Sequence, residues 1–257
     1  MGANGRPAEP HPDVVAEARR LIAAGEAAHV MLRALGGVAV RLQSPDEGPL
    51  LPRSYQDIDL ATTKDKRRVA EQLITSAGYI SDEMFNTLHG VSRMLFYDHA
   101  NHRKLDVFVG QFSMCHVIPI ADRLNRDPLT VPLAELLLTK LQVVELTERD
   151  QRDIYNLIYH HPLSREGSHG IEVDFIAVLC AKDWGLWRTT RQTVERCVAN
   201  LPEYKVPAQA AAVITDRLGE LWRGIDDAPK TTGWRLRSRV GDRVRWYEEP
   251  EEHRDSQ

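Results

Sequence analysis

The chain has 257 residues, 42% hydrophobic and 27% charged, with a net charge of −4, 16 Gly, 14 Pro and three Cys. These values exclude a collagen repeat, a disulfide scaffold and a wholly disordered polymer, and the slight acidity gives no bulk-charge argument for wrapping nucleic acid or lying on an anionic membrane. Cys115, Cys180 and Cys197 stand far apart without a CxxC pair, as reduced thiols do. No apolar run reaches the ~18 residues of a spanning helix, and the first residues lack an apolar signal core, so a cytoplasmic location without a membrane partner is expected.

Residues 1–12, rich in Gly, Pro and Ala, are expected to form a disordered lead. Asp13 then caps a helix expected to run to about Leu35, with Val14, Ala18, Leu21, Ile22, Ala28 and Leu32 at helical spacing. Gly36-Gly37 ends it, and residues 38–42 read as a strand. Residues 44–52 hold three prolines and a glycine and read as a loop. Residues 56–60 alternate polar and apolar, as a half-buried strand does. Thr63 caps a helix over 64–77 that Gly78 ends. Strands follow at 92–97 and 104–109.

Beyond Asn125 the pattern becomes helical. One helix covers 131–145, with Pro132 in its first turn. Another opens at Thr147, whose pairing with Asp150 resembles a capping box, and stops at His160-His161-Pro162. Further helices are expected at 173–181, 184–200 and 208–224. The last carries an apolar stripe of Val213, Ile214, Leu218, Leu221, Trp222 and Ile225. The order predicts an α+β chain: an α/β domain over 13–125, a helical domain over 126–228, and a segment over 229–257. That final segment begins basic, with Lys230, Arg235, Arg237, Arg239, Arg243 and Arg245 against Asp242, and ends acidic. Interleaved with Trp234, Trp246 and Tyr247, the basic stretch reads as a track for a nucleic-acid backbone, as a stretch that neutralises the acidic end, or as a solvated strand face.

Chemistry is first signalled by Asp57 and Asp59. Two apart on a strand, they share one face while Ile58 and Leu60 point to the other. Two adjacent carboxylates repel each other and call for a cation or a proton; magnesium favours a few carboxylates combined with substrate phosphates. Asp106, on a second strand whose Leu105, Val107 and Val109 face the core, supplies a third carboxylate, and three of them suit a two-metal phosphoryl-transfer site. The bland reading is a pair of solvated aspartates with Asp106 ion-paired to Lys104 or Arg103. Gly36 and Gly37 allow a turn whose N–H groups cradle phosphate, or simply a helix end.

Taken together, Leu35-Gly36-Gly37-Val38-Ala39-Val40, Arg53-Ser54-Tyr55-Gln56-Asp57-Ile58-Asp59-Leu60 and Leu105-Asp106-Val107-Phe108 resemble the nucleotidyltransferase superfamily typified by DNA polymerase β. Arg53, Lys140 in Leu136-Leu137-Leu138-Thr139-Lys140-Leu141, and Arg152-Asp153-Ile154-Tyr155-Asn156-Leu157 resemble its AbiEii toxin-type subset. The resemblance covers about residues 30–160. It departs in a longer spacer from Gly37 to Asp57, and in Asn156, which stands where the subset's RDxxD-type motif has its last carboxylate.

The resemblance implies a small mixed-sheet nucleotidyltransferase core with flanking helices, followed by an α-helical domain. It implies an ATP-type NTP as substrate and two magnesium ions held by Asp57, Asp59 and Asp106, the last helping to deprotonate the acceptor hydroxyl. Gly36, Gly37 and Arg53 would contact nucleotide, Lys140 would neutralise phosphate charge, and Asp153 would join the catalytic set. Two acceptors compete: RNA such as a tRNA end, or a small molecule such as an antibiotic. An antitoxin partner comes with the subset. The alternative is a non-catalytic nucleotide-binding or partner-binding module on the same fold.

Overall fold

A computed structural model describes residues 9–165 and 170–249. Residues 1–8 of the expected lead and 250–257 of the acidic end lie outside it. The described residues form ten α-helices and a five-stranded mixed sheet, with two further two-stranded sheets. This mixed α/β content is compatible with the α+β class. No helix among them is long and apolar enough to cross a membrane. The chain divides into two compact units: residues 1–112 with 118–136, and residues 113–117 with 137–257.

The first unit begins with α1 (Val14–Ala27), capped as expected by the Asp13 carboxylate, which accepts from Ala16 N–H at 2.7 Å. Residues just ahead of it are anchored, unlike the disordered lead expected there. The His11 and Pro12 carbonyls accept from Arg103 Nη2, and His11 N–H donates to Glu17 at 2.8 Å. Glu17 is fully buried because Arg20 and the Tyr79 hydroxyl both donate to it. Helix α1 ends at Ala27, short of the expected Leu35, since His29 turns the chain at φ +56°. A buried strand β1 (Arg33–Leu35) follows.

Gly36, at φ +66°, then bends the chain directly into α2 (Gly36–Leu42). The expected strand at 38–42 is therefore corrected to a helix. Val38, Ala39 and Val40 are all buried, and a short apolar run fits a buried helix as well as a strand. Next come β2 (Ile58–Thr62), α3 (Arg67–Ser76), β3 (Ile80–Ser81), α4 (Glu83–His89), β4 (Arg93–Asp98) and β5 (Arg103–Val109). The sheet order is β1-β2-β5-β4-β3, with β2 and β5 parallel and the other neighbours antiparallel. Ile58, Leu60, Leu105 and Val107 are fully buried on one face of this sheet.

The first compact unit runs past residue 125 to Leu136. Ala34 N–H donates to Leu129 O and Val131 N–H to Ala34 O, so residues 129–131 extend the ladder beside β1. Short strands β6 (Gln111–Ser113) and β7 (Val117–Pro119) form a two-stranded sheet, and the division between units falls within α5 (Leu133–Leu141).

In the second unit, Thr147 and Asp150 form the expected capping box at the start of α6 (Glu148–His160). After β8 (Leu163–Ser164) and β9 (Ile171–Glu172) come α7 (Val173–Lys182), α8 (Trp184–Asn200), α9 (Ala208–Asp227) and α10 (Thr232–Val240). Asp183 caps α8 through Gly185 and Leu186 N–H. The buried stripe of α9 is Ala210, Ile214, Leu218, Leu221 and Ile225, a helical repeat facing the core. Residues 232–240 of the basic segment form helix α10, which overturns the strand reading; Thr231 caps it and none of its residues is buried.

Candidate functional site

In the first unit the aspartates are organised by the parallel β2–β5 ladder. Ile58 pairs with Leu105, Asp59 with Asp106 and Leu60 with Val107. Paired residues on parallel strands, separated by about 4.8 Å, project to the same side, so Asp59 and Asp106 share one face, opposite the buried Ile58, Leu60, Leu105 and Val107. Asp57 lies one residue before β2 and is exposed; its Oδ1 accepts from the Lys104 backbone N–H at 3.2 Å.

The glycine turn closes directly on this face. A Cβ on Gly36 would overlap Asp59 Oδ2, and one on Gly37 would overlap Arg53 Nη2. Only glycine lets the backbone approach these side chains so closely, and Gly36 also needs its positive φ. Arg53 lies over the Tyr55 ring at 4.4 Å, which fixes its guanidinium against Gly37. Gly36, Gly37, Arg53, Asp59 and Asp106 are thus linked into one array, with Asp57 at its edge.

Asp106 is buried and paired with two cations. Arg93 Nε donates to its Oδ1 at 2.8 Å, and Lys104 Nζ lies 3.2 Å from its Oδ2. Arg93 also lies over the rings of Phe85 and Phe108. The Lys104 pairing matches the bland reading of Asp106; the Arg93 pairing has no counterpart in it. Its partnership follows from the antiparallel β4–β5 register, which sets Leu95 against Asp106 and Arg93 two residues along on the same side.

Among the described residues no three His, Cys, Asp or Glu side chains converge as a ready metal site. The donor chemistry nevertheless suits a hard divalent ion at Asp59 and Asp106, since magnesium commonly takes one or two carboxylates and completes its shell with water and phosphate. A cavity of about 300 Å³ in the same unit lies elsewhere, beside Glu26, His29, Met31, Asp65 and Lys66.

In the second unit Lys140, on α5, is held in ion pairs. Its Nζ lies 2.9 Å from Asp153 and 3.3 Å from Asp150. Asp153 is completely buried and Asn156 nearly so. Arg152 points outward, bonding Glu148 and lying over the Tyr204 ring at 5.6 Å. The chain therefore brings Lys140 and Asp153 together as a pair and leaves Arg152 at the surface. Asp150 is a residue that sequence reading assigns only to helix capping; its second role toward Lys140 has no local sequence signal.

Comparison with protein-family models and with curated proteins gives no match for this sequence.

Proposed function

We propose that this protein is a magnesium-dependent nucleotidyltransferase that moves NMP from an NTP to a hydroxyl acceptor and releases pyrophosphate. The observation that supports this reading best is the array of Asp59 and Asp106, in register on adjacent parallel strands, with Gly36 closing on the Asp59 carboxylate. In this proposal Asp59 and Asp106, with Asp57 at the rim, hold magnesium, which supplies charge neutralisation for the triphosphate. Gly36 and Gly37 let the backbone approach phosphate, and Arg53 adds a guanidinium beside them. Arg93 holds Asp106 oriented as a candidate proton acceptor for the attacking hydroxyl. Lys140 and Asp153 join the set through the resemblance alone. Phosphoryl chemistry of this kind asks mainly for positioning and charge stabilisation, which is what such residues offer.

Pyrophosphate release from each NTP, in the presence of tRNA or of aminoglycoside and lincosamide acceptors, tests the proposal. Asp59→Asn and Asp106→Asn are expected to lower the rate at least ~100-fold, the scale of losing an electrostatic contact to developing charge. Wild-type rates retained by both variants would refute it. A steep loss of acceptor binding with salt selects RNA over the small molecule.

The second reading, a non-catalytic nucleotide-binding module with an antitoxin or other protein as partner, draws on the two cations already paired with Asp106. Tight NTP binding without turnover across the acceptor panel would favour it.

A further inference from the structure

Resting on the magnesium-dependent reading, we infer that the Lys104 ammonium is a resident and displaceable counter-cation that competes with a divalent ion for Asp106. The array holds the carboxylates of Asp59 and Asp106, with exposed Asp57 at its edge tied to the Lys104 backbone, and three cations, Arg53, Arg93 and Lys104. With Asp57 counted, its formal charge is already balanced. A divalent ion enters such a cluster more favourably when a positive charge moves away from it.

The three cations differ in their freedom to move. Arg53 is held between Gly37 and the Tyr55 ring. Arg93 is clamped by the Phe85 and Phe108 rings and bonds Asp106 Oδ1 through Nε. Its planar fork is fixed in one orientation. Lys104 instead reaches Asp106 Oδ2 on a flexible four-carbon stem, and its side chain is 31% exposed against 18% for Arg93. It can swing into water without leaving a buried charge unpaired, because Arg93 stays on Oδ1. The Lys104 backbone remains tied to the array through the Asp57 carboxylate. The division of labour follows: Arg93 positions Asp106, and Lys104 neutralises it until a divalent ion takes over. Lys104 thus sets the metal concentration at which the site loads.

The test is Mn²⁺ titration of the full-length protein without nucleotide, followed by electron paramagnetic resonance of the free ion. Lys104→Met is expected to bind Mn²⁺ about tenfold more tightly than wild type, a difference of about 1.4 kcal/mol. Lys104→Arg, which keeps the charge, is expected to stay close to wild type or bind more weakly. Lys104→Gln, which keeps a polar end, is expected to follow Lys104→Met and serves where the methionine variant does not fold. Asp59→Asn is expected to abolish the bound fraction in every background. Unchanged or weaker Mn²⁺ binding in Lys104→Met and Lys104→Gln, with Asp59 still required, would overturn the role of Lys104 while leaving the proposed function intact. Binding that is absent throughout would overturn the role of Lys104, with the pyrophosphate assay left to decide the proposed function; binding indifferent to Asp59→Asn would overturn both the role of Lys104 and the assignment of Asp59 to the metal.

Discussion

Single atoms decide the geometry around Gly36. At φ +66° it adopts a backbone conformation that costs an L-residue about 1 kcal/mol, and a methyl group there would overlap the Asp59 carboxylate. Gly36→Ala is therefore expected to lose NTP binding while the fold persists with a stability loss of about 1–3 kcal/mol. Denaturant titration alongside nucleotide binding checks this, and full binding in the variant would contradict it. The Lys140–Asp153 pair makes a different kind of demand. Asp153 is completely buried, so removing it leaves a mostly buried ammonium facing the partly exposed Asp150. Asp153→Ala is expected to destabilise by about 3 kcal/mol, the scale of breaking a buried ion pair from one side. A midpoint in denaturant equal to wild type would show that the pair carries no such weight.

Among the elements, the short helices show where local pattern and fold part company. Helix α4 has one buried residue, Asn86, which bonds the Leu95 N–H and C=O and the Ser81 hydroxyl. Met84 and Leu88 face outward, at 77% and 71% exposure, so the helix has no inward apolar repeat to read in the sequence. Helix α2 is ambiguous in the opposite way, with an apolar run that satisfies two periodicities. The long helices α8 and α9 are legible because buried residues recur through several turns and Asp183 caps α8.

Helix α8 also carries a pH-sensitive contact. His116 Nε2 lies 2.8 Å from the Thr189 hydroxyl, which accepts from Trp246 Nε1 at 3.0 Å. Burial lowers the His116 pKa, with Asp183 opposing, and burial lowers that of His160 as well. A histidine whose folded pKa lies below its unfolded value of about 6.5 resists protonation in the native state while the unfolded chain accepts it. Its stabilising contribution is thus fully present above that value and is lost as pH falls through it toward the folded pKa. Stability is expected to drop from pH 7 to pH 5, with a shallower drop in His116→Gln, where His160 continues to contribute. Chemical denaturation across that range checks the slope, and identical slopes in the two proteins would contradict the assignment.

Taken as a whole, the molecule divides its candidate site residues between two compact units. Asp57, Asp59 and Asp106 are recognisable in the sequence because each alternates with apolar, strand-forming residues, although β2 itself begins only at Ile58. Arg93 is invisible there, because its approach to Asp106 depends on the register of β4 against β5, which is set by tertiary pairing and not by any local spacing. The same holds for Asp150 and Lys140, which lie on different helices. The Trp-rich basic segment also changes meaning in the folded chain. Trp187 packs against Trp222 and Trp234, while Arg237 covers Trp184 and Arg188 covers Trp246. Several ring faces there are spent on intramolecular contacts, so the acceptor question falls to the carboxylate array and its chemistry.

Mass spectrometry of acceptors addresses that array most directly. The protein is incubated with mixed NTPs, Mg²⁺ and a pool of tRNA and small hydroxylated antibiotics. Our account predicts that one acceptor class gains the mass of a single or repeated NMP unit, and that Asp59→Asn and Asp106→Asn leave every acceptor unmodified. Acceptors unchanged by wild type, or modified equally by both variants, would contradict it.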